Sequence, residues 1–206
     1  GLTDAQWIEL GGILRKMHAL QLPDAVAAQV RRETFVLPEG WRSLIADLDA
    51  KIPVTAYENP FEKALAAFWL ERAAEIRQMV ARAEELGRML QNRSLPFVLC
   101  HTDIHTANVL VDEQARLHIV DWDHPILAPR ERDLMFMMNT PGERLFFEGY
   151  GETAVDQTAI AYYRYEWVAQ EFADYAARVF VMDDVGDETR ADSVRGFRQL
   201  FDPGDV

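Results

Sequence analysis

The stretch "CHTDIHTANVLV", residues 100–111, followed after a short turn by "IVDWD", residues 119–123, decides the fold. It sets two histidines, an aspartate and an asparagine against short apolar runs. "FVLC" (97–100), "NVLVD" (108–112) and "RLHIVD" (116–121) have the β-branched and aliphatic content of strands, and "EQA" (113–115) reads as the turn between the last two. A hairpin turning around residues 113 and 114 puts Asn108 opposite about residue 119, with Asp121 at the same open end. An offset of two strand residues is roughly 7 Å. One cation then lies within reach of an amide oxygen and a carboxylate, a hard all-oxygen pair suited to Mg²⁺. Asp103 lies in the loop entering the first strand, near the same mouth. A carboxylate so placed can orient an attacking hydroxyl and accept its proton.

Outward from the hairpin the chain reads as helical. Thr3 caps a first helix with Gln6 completing a capping box and Leu2 placed to staple onto Trp7, and Leu10, Leu14 and Met17 continue one apolar face. Pro23, Pro38 and Gly40 keep any helix between residues 23 and 40 short, and a second helix covers 41–51, ended by Pro53. From Pro60 to about Gln91, Leu65, Trp69, Ile76, Leu86 and Leu90 recur at helical steps. Residues 131–138 read as a short helix, Pro141 and Gly142 as a turn, and "GYG" (149–151) as a loop. Helical spacing returns through Ile160, Trp167, Phe172 and Val179, then through Val194, Phe197 and Phe201. The fold class is mainly α (α+β): a helical body with a small central β-hairpin.

Composition narrows the partners. Lys and Arg total 21 against 34 Asp and Glu, a formal charge of −13. That field opposes nucleic acid and anionic membranes and favours a cationic or polar small molecule. Cys100 is the single cysteine, which excludes an internal disulfide and fits a reducing, cytoplasmic setting. No apolar run approaches the ~20 residues of a membrane span. The chain opens on Gly1 rather than Met, as a processed product, a tag remnant or a piece of something longer would.

His101, Asp103 and Asn108 fit H-x-D-x-x-x-x-N, followed past a hairpin by a strand ending in Asp121, the pattern of a kinase catalytic loop and its metal-binding aspartate. "CHTDIHTANVLV" resembles the H-G-D-x-H-x-x-N loop of the aminoglycoside phosphotransferase family, the antibiotic kinases that share the protein-kinase fold. "DWDHPILAPRERDLMF" (121–136) and "AYYRYEWVAQEFADYAARVF" (161–180) are most similar to its spectinomycin phosphotransferases. The resemblance implies the C-terminal, substrate-binding and catalytic lobe of a kinase-like fold, with ATP and Mg²⁺ as cofactors. It implies Asp103 as catalytic base, His105 beside the transferred phosphoryl group, and Asn108 and Asp121 as holders of the metal and nucleotide phosphates. His101 and Asp133 would be structural supports, and Asp123, Trp122 and Glu166 candidates to face substrate. Thr102 and Thr106 stand where the family loop often has Gly or Pro, a tolerable change unless a positive φ is required.

No glycine-rich strand-turn-strand precedes residue 100, and the three lysines, Lys16, Lys51 and Lys63, all fall in helical segments. The expectation is that the N-terminal nucleotide-binding lobe is absent from residues 1–206, and that they alone transfer phosphate weakly or not at all. An exposed lobe-facing surface would also leave a homodimer open. Three alternatives stand beside the antibiotic kinase. One is a kinase of a small metabolite such as choline, homoserine or a sugar. Another is a non-catalytic substrate-binding fragment or pseudokinase. The last is a metal-dependent hydrolase using His101 and His105, for which no "HExxH" is present. Of Trp122, Tyr162, Tyr163, Tyr165, Trp167 and Tyr175, core packing claims at least half, and the rest are candidates to line a sugar-like pocket.

Overall fold

Capping and apolar spacing set the helix boundaries of this mainly helical chain. The computed structural model describes residues 1–202. In chain order the elements are α1 (Asp4–His18), α2 (Asp24–Ala27), β1 (Arg31–Arg32), α3 (Glu39–Lys51), α4 (Pro60–Gln91), β2 (Val98–Cys100), β3 (Val109–Val111), β4 (Leu117–Ile119), β5 (Ile126–Ala128), α5 (Glu131–Leu134), α6 (Glu143–Tyr150), α7 (Gln157–Phe180) and α8 (Asp187–Gln199). No helix among the described residues is long and apolar enough to cross a membrane. Two compact units form, residues 1–34 with 92–160, and residues 35–91 with those from 161 onward.

The first unit holds both sheets. β3 and β4 make the expected antiparallel hairpin, with Val109 opposite Ile119 and Val111 opposite Leu117. That register places Val120 opposite Asn108, not residue 119, and the Val120 N–H donates to the Asn108 carbonyl at 3.0 Å. The difference comes from the turn: Asp112 and Arg116 close it with Ala115 at φ 61°, so three residues rather than two make the loop. The Asp112 carboxyl is held down at about 2, chiefly by His118 and then by the Arg116 N–H.

β2 does not join the hairpin. It pairs antiparallel with β5, which pairs parallel with β1. The sequence hid both partners, β5 as three residues between Pro125 and Pro129 and β1 as a pair of arginines. Cys100, Ile126 and Ala128 pack together at this sheet. The Cys100 thiol is fully buried, facing the carbonyls of Ala128 and Pro129, and burial pushes it well above its ordinary range.

α1 starts with the expected capping box at Thr3 and Gln6, buries Leu10, Leu14 and Met17, and packs along α6. Where the sequence predicts a loop at "GYG", α6 continues through Gly149 and Tyr150 and stops at Gly151, whose φ is 90°. Both inner glycines are packing residues. A Cβ on Gly11 would overlap the Phe146 carbonyl oxygen, and one on Gly149 would overlap that of Ile8. Gly12, one position on, has only the Gly149 oxygen at 3.9 Å. Gly11→Ala is therefore expected to lower stability by about 1–3 kcal/mol through overpacking. Gly12→Ala should raise it by up to ~1 kcal/mol through helix propensity, and thermal denaturation of the pair checks both signs.

The second unit is a helical core. Ile45 and Leu48 of α3, Leu65, Trp69 and Ile76 of α4, Val168, Phe172 and Ala176 of α7, and Val194 and Phe197 of α8 form one buried cluster. Tyr162 and Tyr163 are fully buried beside Phe35, and Trp167 and Tyr175 pack against the main cluster. These aromatic residues serve the core.

Candidate active site

The loop from β2 to β3 is fixed from behind by one buried carboxylate. Asp133, on α5 and wholly inaccessible, accepts the His101 N–H at 2.9 Å on Oδ2 and the Thr102 N–H at 2.7 Å on Oδ1. Its third donor is the His18 ring of α1, Nε2 to Oδ2 at 3.0 Å. The His18 Nδ1 meets the Tyr150 hydroxyl at 2.8 Å. His18 and Tyr150 had no sequence signal linking them to the loop, because 115 residues separate His18 from Asp133.

Directly after the second anchored amide, Thr102 adopts φ 81°. A β-branched residue there is an outlier, since Cβ crowds the backbone. A glycine would be unstrained at this position. Thr102 also gives its hydroxyl to the His124 carbonyl at 3.3 Å. Both Thr102→Gly and Thr102→Ala lose that bond, but only glycine relieves the strain. The glycine variant should be the more stable of the two by about 1 kcal/mol, measured by chemical denaturation. Thr106 carries no such strain: it opens a 3-10 turn, Thr106–Asn108.

Past Thr102 the chain turns outward and three side chains meet. Asn108 Nδ2 donates to the Asp103 carbonyl at 2.8 Å and to Asp103 Oδ2 at 3.0 Å, and lies 3.4 Å from His105 Nε2. His105 Nε2 is 3.4 Å from Asp103 Oδ2, and its Nδ1 accepts the Ala107 N–H at 3.2 Å. The Asp103 and His105 side chains are close to half exposed. With both amide hydrogens of Asn108 drawn toward Asp103, its Oδ1 is the atom left for a cation. Asp121, two residues past the end of β4, is exposed and adopts φ 67°. An amide oxygen just ahead of β3 and a carboxylate just past β4 are the ligand types that a hard divalent ion takes.

His101 is buried and engaged at both ring nitrogens: Nδ1 accepts the Asp103 N–H at 3.3 Å, and Nε2 donates to the Val120 carbonyl at 2.9 Å. That neutral tautomer leaves no lone pair for zinc, which removes the histidine-ligated hydrolase as a reading of His101 with His105. Among the described residues the one group of three metal-ligating types is His18, Cys100 and Asp133, where each donor already has a protein partner.

Trp122 stands edge-on to the His101 ring at 4.6 Å and donates its Nε1–H to the Ile119 carbonyl. It borders a groove of about 470 Å³ with Met17, Leu20, Leu117 and Ile119. Asp123 is exposed beside it. Glu166 belongs to the second unit, where it accepts from the Tyr162 hydroxyl at 3.5 Å. Lys16, Lys51 and Lys63 all lie in helices, as expected.

A model of the phosphotransferase enzyme family matches residues 2–177. Among solved structures, the spectinomycin phosphotransferase APH(9)-Ia in complex with ADP and spectinomycin shares 34% identity, with a TM-score of 0.87 over 98% of this chain and 63% of its own. Its AMP-bound complex shares 35% identity, with a TM-score of 0.85 over 98% of this chain and 64% of its own. An aminoglycoside phosphotransferase from Alicyclobacillus acidocaldarius subsp. acidocaldarius DSM 446 shares the fold at 13% identity, with a TM-score of 0.62 over 95% of this chain and 62% of its own. The chain thus spans less than two thirds of each of these structures. A search of curated protein sequences gave no match.

Proposed function

Because the chain belongs to the phosphotransferase enzyme family, we propose that residues 1–206 are the substrate-binding and catalytic lobe of an ATP-dependent O-phosphotransferase acting on a hydroxyl of an aminocyclitol or aminoglycoside antibiotic. The observation that carries this reading is the hydrogen-bonded set Asp103, Asn108 and His105 on a loop anchored by Asp133. The likeness to a spectinomycin phosphotransferase over nearly the whole chain supports spectinomycin as the first acceptor to try. Phosphorylating such an antibiotic would confer resistance on a cell that supplies ATP in its cytoplasm.

Asp103 Oδ2 would take the proton of the attacking hydroxyl, while Asn108 Nδ2 keeps that carboxylate oriented. Asn108 Oδ1 and the Asp121 carboxylate would hold Mg²⁺, which when bound neutralises charge on the nucleotide phosphates. His105, within 3.4 Å of Asp103 Oδ2, would face the transferred group. Trp122 and Asp123 would meet the substrate, the carboxylate suiting an ammonium group. Such a site works by placement and fixed charge. A nucleotide-covering lobe would act as its partner.

The test is to incubate the full protein that carries residues 1–206 with Mg²⁺, ATP and spectinomycin, then read phosphate on the antibiotic by mass spectrometry. Transfer that requires Mg²⁺ and is lost in Asn108→Ala is the expected result. Phosphate on choline, homoserine or a sugar alone would move the protein to metabolite kinases. No transfer to any of these acceptors would overturn the proposal.

A further inference from the structure

We propose that His18 and Tyr150 are positioning residues for phosphoryl transfer, holding the catalytic loop through Asp133; this rests on the phosphotransferase reading. Neither residue reaches the loop's reactive side chains. Their path runs through the carboxylate: Tyr150 hydroxyl to His18 Nδ1 at 2.8 Å, then His18 Nε2 to Asp133 Oδ2 at 3.0 Å, then the His101 and Thr102 amides. With a proton on Nε2 the His18 ring donates to Asp133, so the carboxylate receives three N–H donors, while Nδ1 pairs with the Tyr150 hydroxyl.

What this relay does follows from the strain beside it. Thr102 at φ 81° persists only because something holds it there. The bonds from Asp133 grip the amides of residues 101 and 102, one on each carboxylate oxygen. The His18 contact fixes the rotation of that carboxylate, and so the direction in which the chain leaves toward Asp103. The His18 side chain is 4% exposed, so water does not substitute for it. The frame is rigid as well. Gly11 and Gly149 bring the α1 and α6 backbones into contact, which sets the distance between the helices that carry His18 and Tyr150. The two rings also meet edge to face at 5.7 Å. A misplacement of about 1 Å at a reacting group can cost ~100-fold in rate, so a loosened anchor is read in turnover before it is read in binding.

The experiment compares His18→Leu, His18→Gln, Tyr150→Phe and Asp103→Asn in the full protein with Mg²⁺, ATP and spectinomycin. His18→Leu should lower kcat by roughly 10- to 100-fold with the acceptor KM nearly unchanged. His18→Gln, whose amide N–H reaches toward Asp133, should recover most of the loss. Tyr150→Phe should fall between His18→Leu and the unmodified protein. Hydrogen exchange at the amides of residues 101 and 102 should quicken in His18→Leu and return toward normal in His18→Gln. Unchanged kcat in folded His18→Leu, or unchanged exchange at those two amides, overturns the inference. If His18→Leu does not fold, Tyr150→Phe decides, and wild-type kcat and exchange there overturn it. Undiminished turnover in Asp103→Asn would instead sink the phosphotransferase reading, while the exchange data would still settle whether His18 and Tyr150 hold the loop.

Discussion

Asp103→Asn is expected to lower kcat for phosphoryl transfer by about 10²- to 10⁴-fold, the range for losing a positioned general base. The substitution keeps the shape of the side chain. An amide oxygen can still accept from Asn108 Nδ2, as Asp103 Oδ2 does at 3.0 Å, so the loop has no reason to move. The Asp103 side chain is 47% exposed and makes no buried bond that folding depends on, so stability should change by under ~0.5 kcal/mol. What disappears is the group proposed to take the proton. Steady-state kinetics beside a thermal melt check both halves, and turnover within a few fold of the unmodified protein would remove Asp103 from the mechanism.

Asp133→Asn has the opposite profile. Its carboxylate is fully buried and accepts three N–H donors, from His101, Thr102 and His18. An asparagine there brings an NH₂ group against at least one of these donors, leaving buried N–H groups unpaired. Removing one partner from such a buried charged network costs about 3–5 kcal/mol. Alanine should cost as much, because it leaves all three donors without an acceptor. Urea titration measures the loss, and a change under ~1 kcal/mol would mean that Asp133 is not what anchors the loop. The contrast is diagnostic: two aspartates tied to one loop, one lost as chemistry and the other lost as fold.

The sequence showed the long helices and the hairpin because local rules govern them, while α6 went unread. Capping at Thr3 and Gln6, apolar spacing along residues 60–91 and the strand runs at 109–111 and 117–119 needed no tertiary information. Asp103, Asn108 and His105 were found through a motif spacing that one turn of loop enforces, and they do sit in hydrogen-bonded contact. What stayed hidden depends on contacts distant in sequence. β1 is two exposed arginines that become a strand only because β5 lies beside them. Gly149 reads as a loop breaker until Ile8 is seen against it. The turn at Ala115 shifted the partner of Asn108 by one residue, since the loop length depends on how Asp112 and Arg116 close it. His18 is a histidine near a helix end, and nothing near it in the chain announces an aspartate more than a hundred residues away.

Cys100 carries a practical consequence for watching this loop move. Its thiol is inaccessible, and burial together with the nearby Asp133 charge keeps it protonated far above neutral pH. Maleimides and spin labels react with the thiolate, so the native chain behaves toward them as though it had no cysteine. A single cysteine introduced at an exposed site such as Thr106 or Glu113 can then take a fluorophore or nitroxide selectively, with no background mutation in the wall of the site.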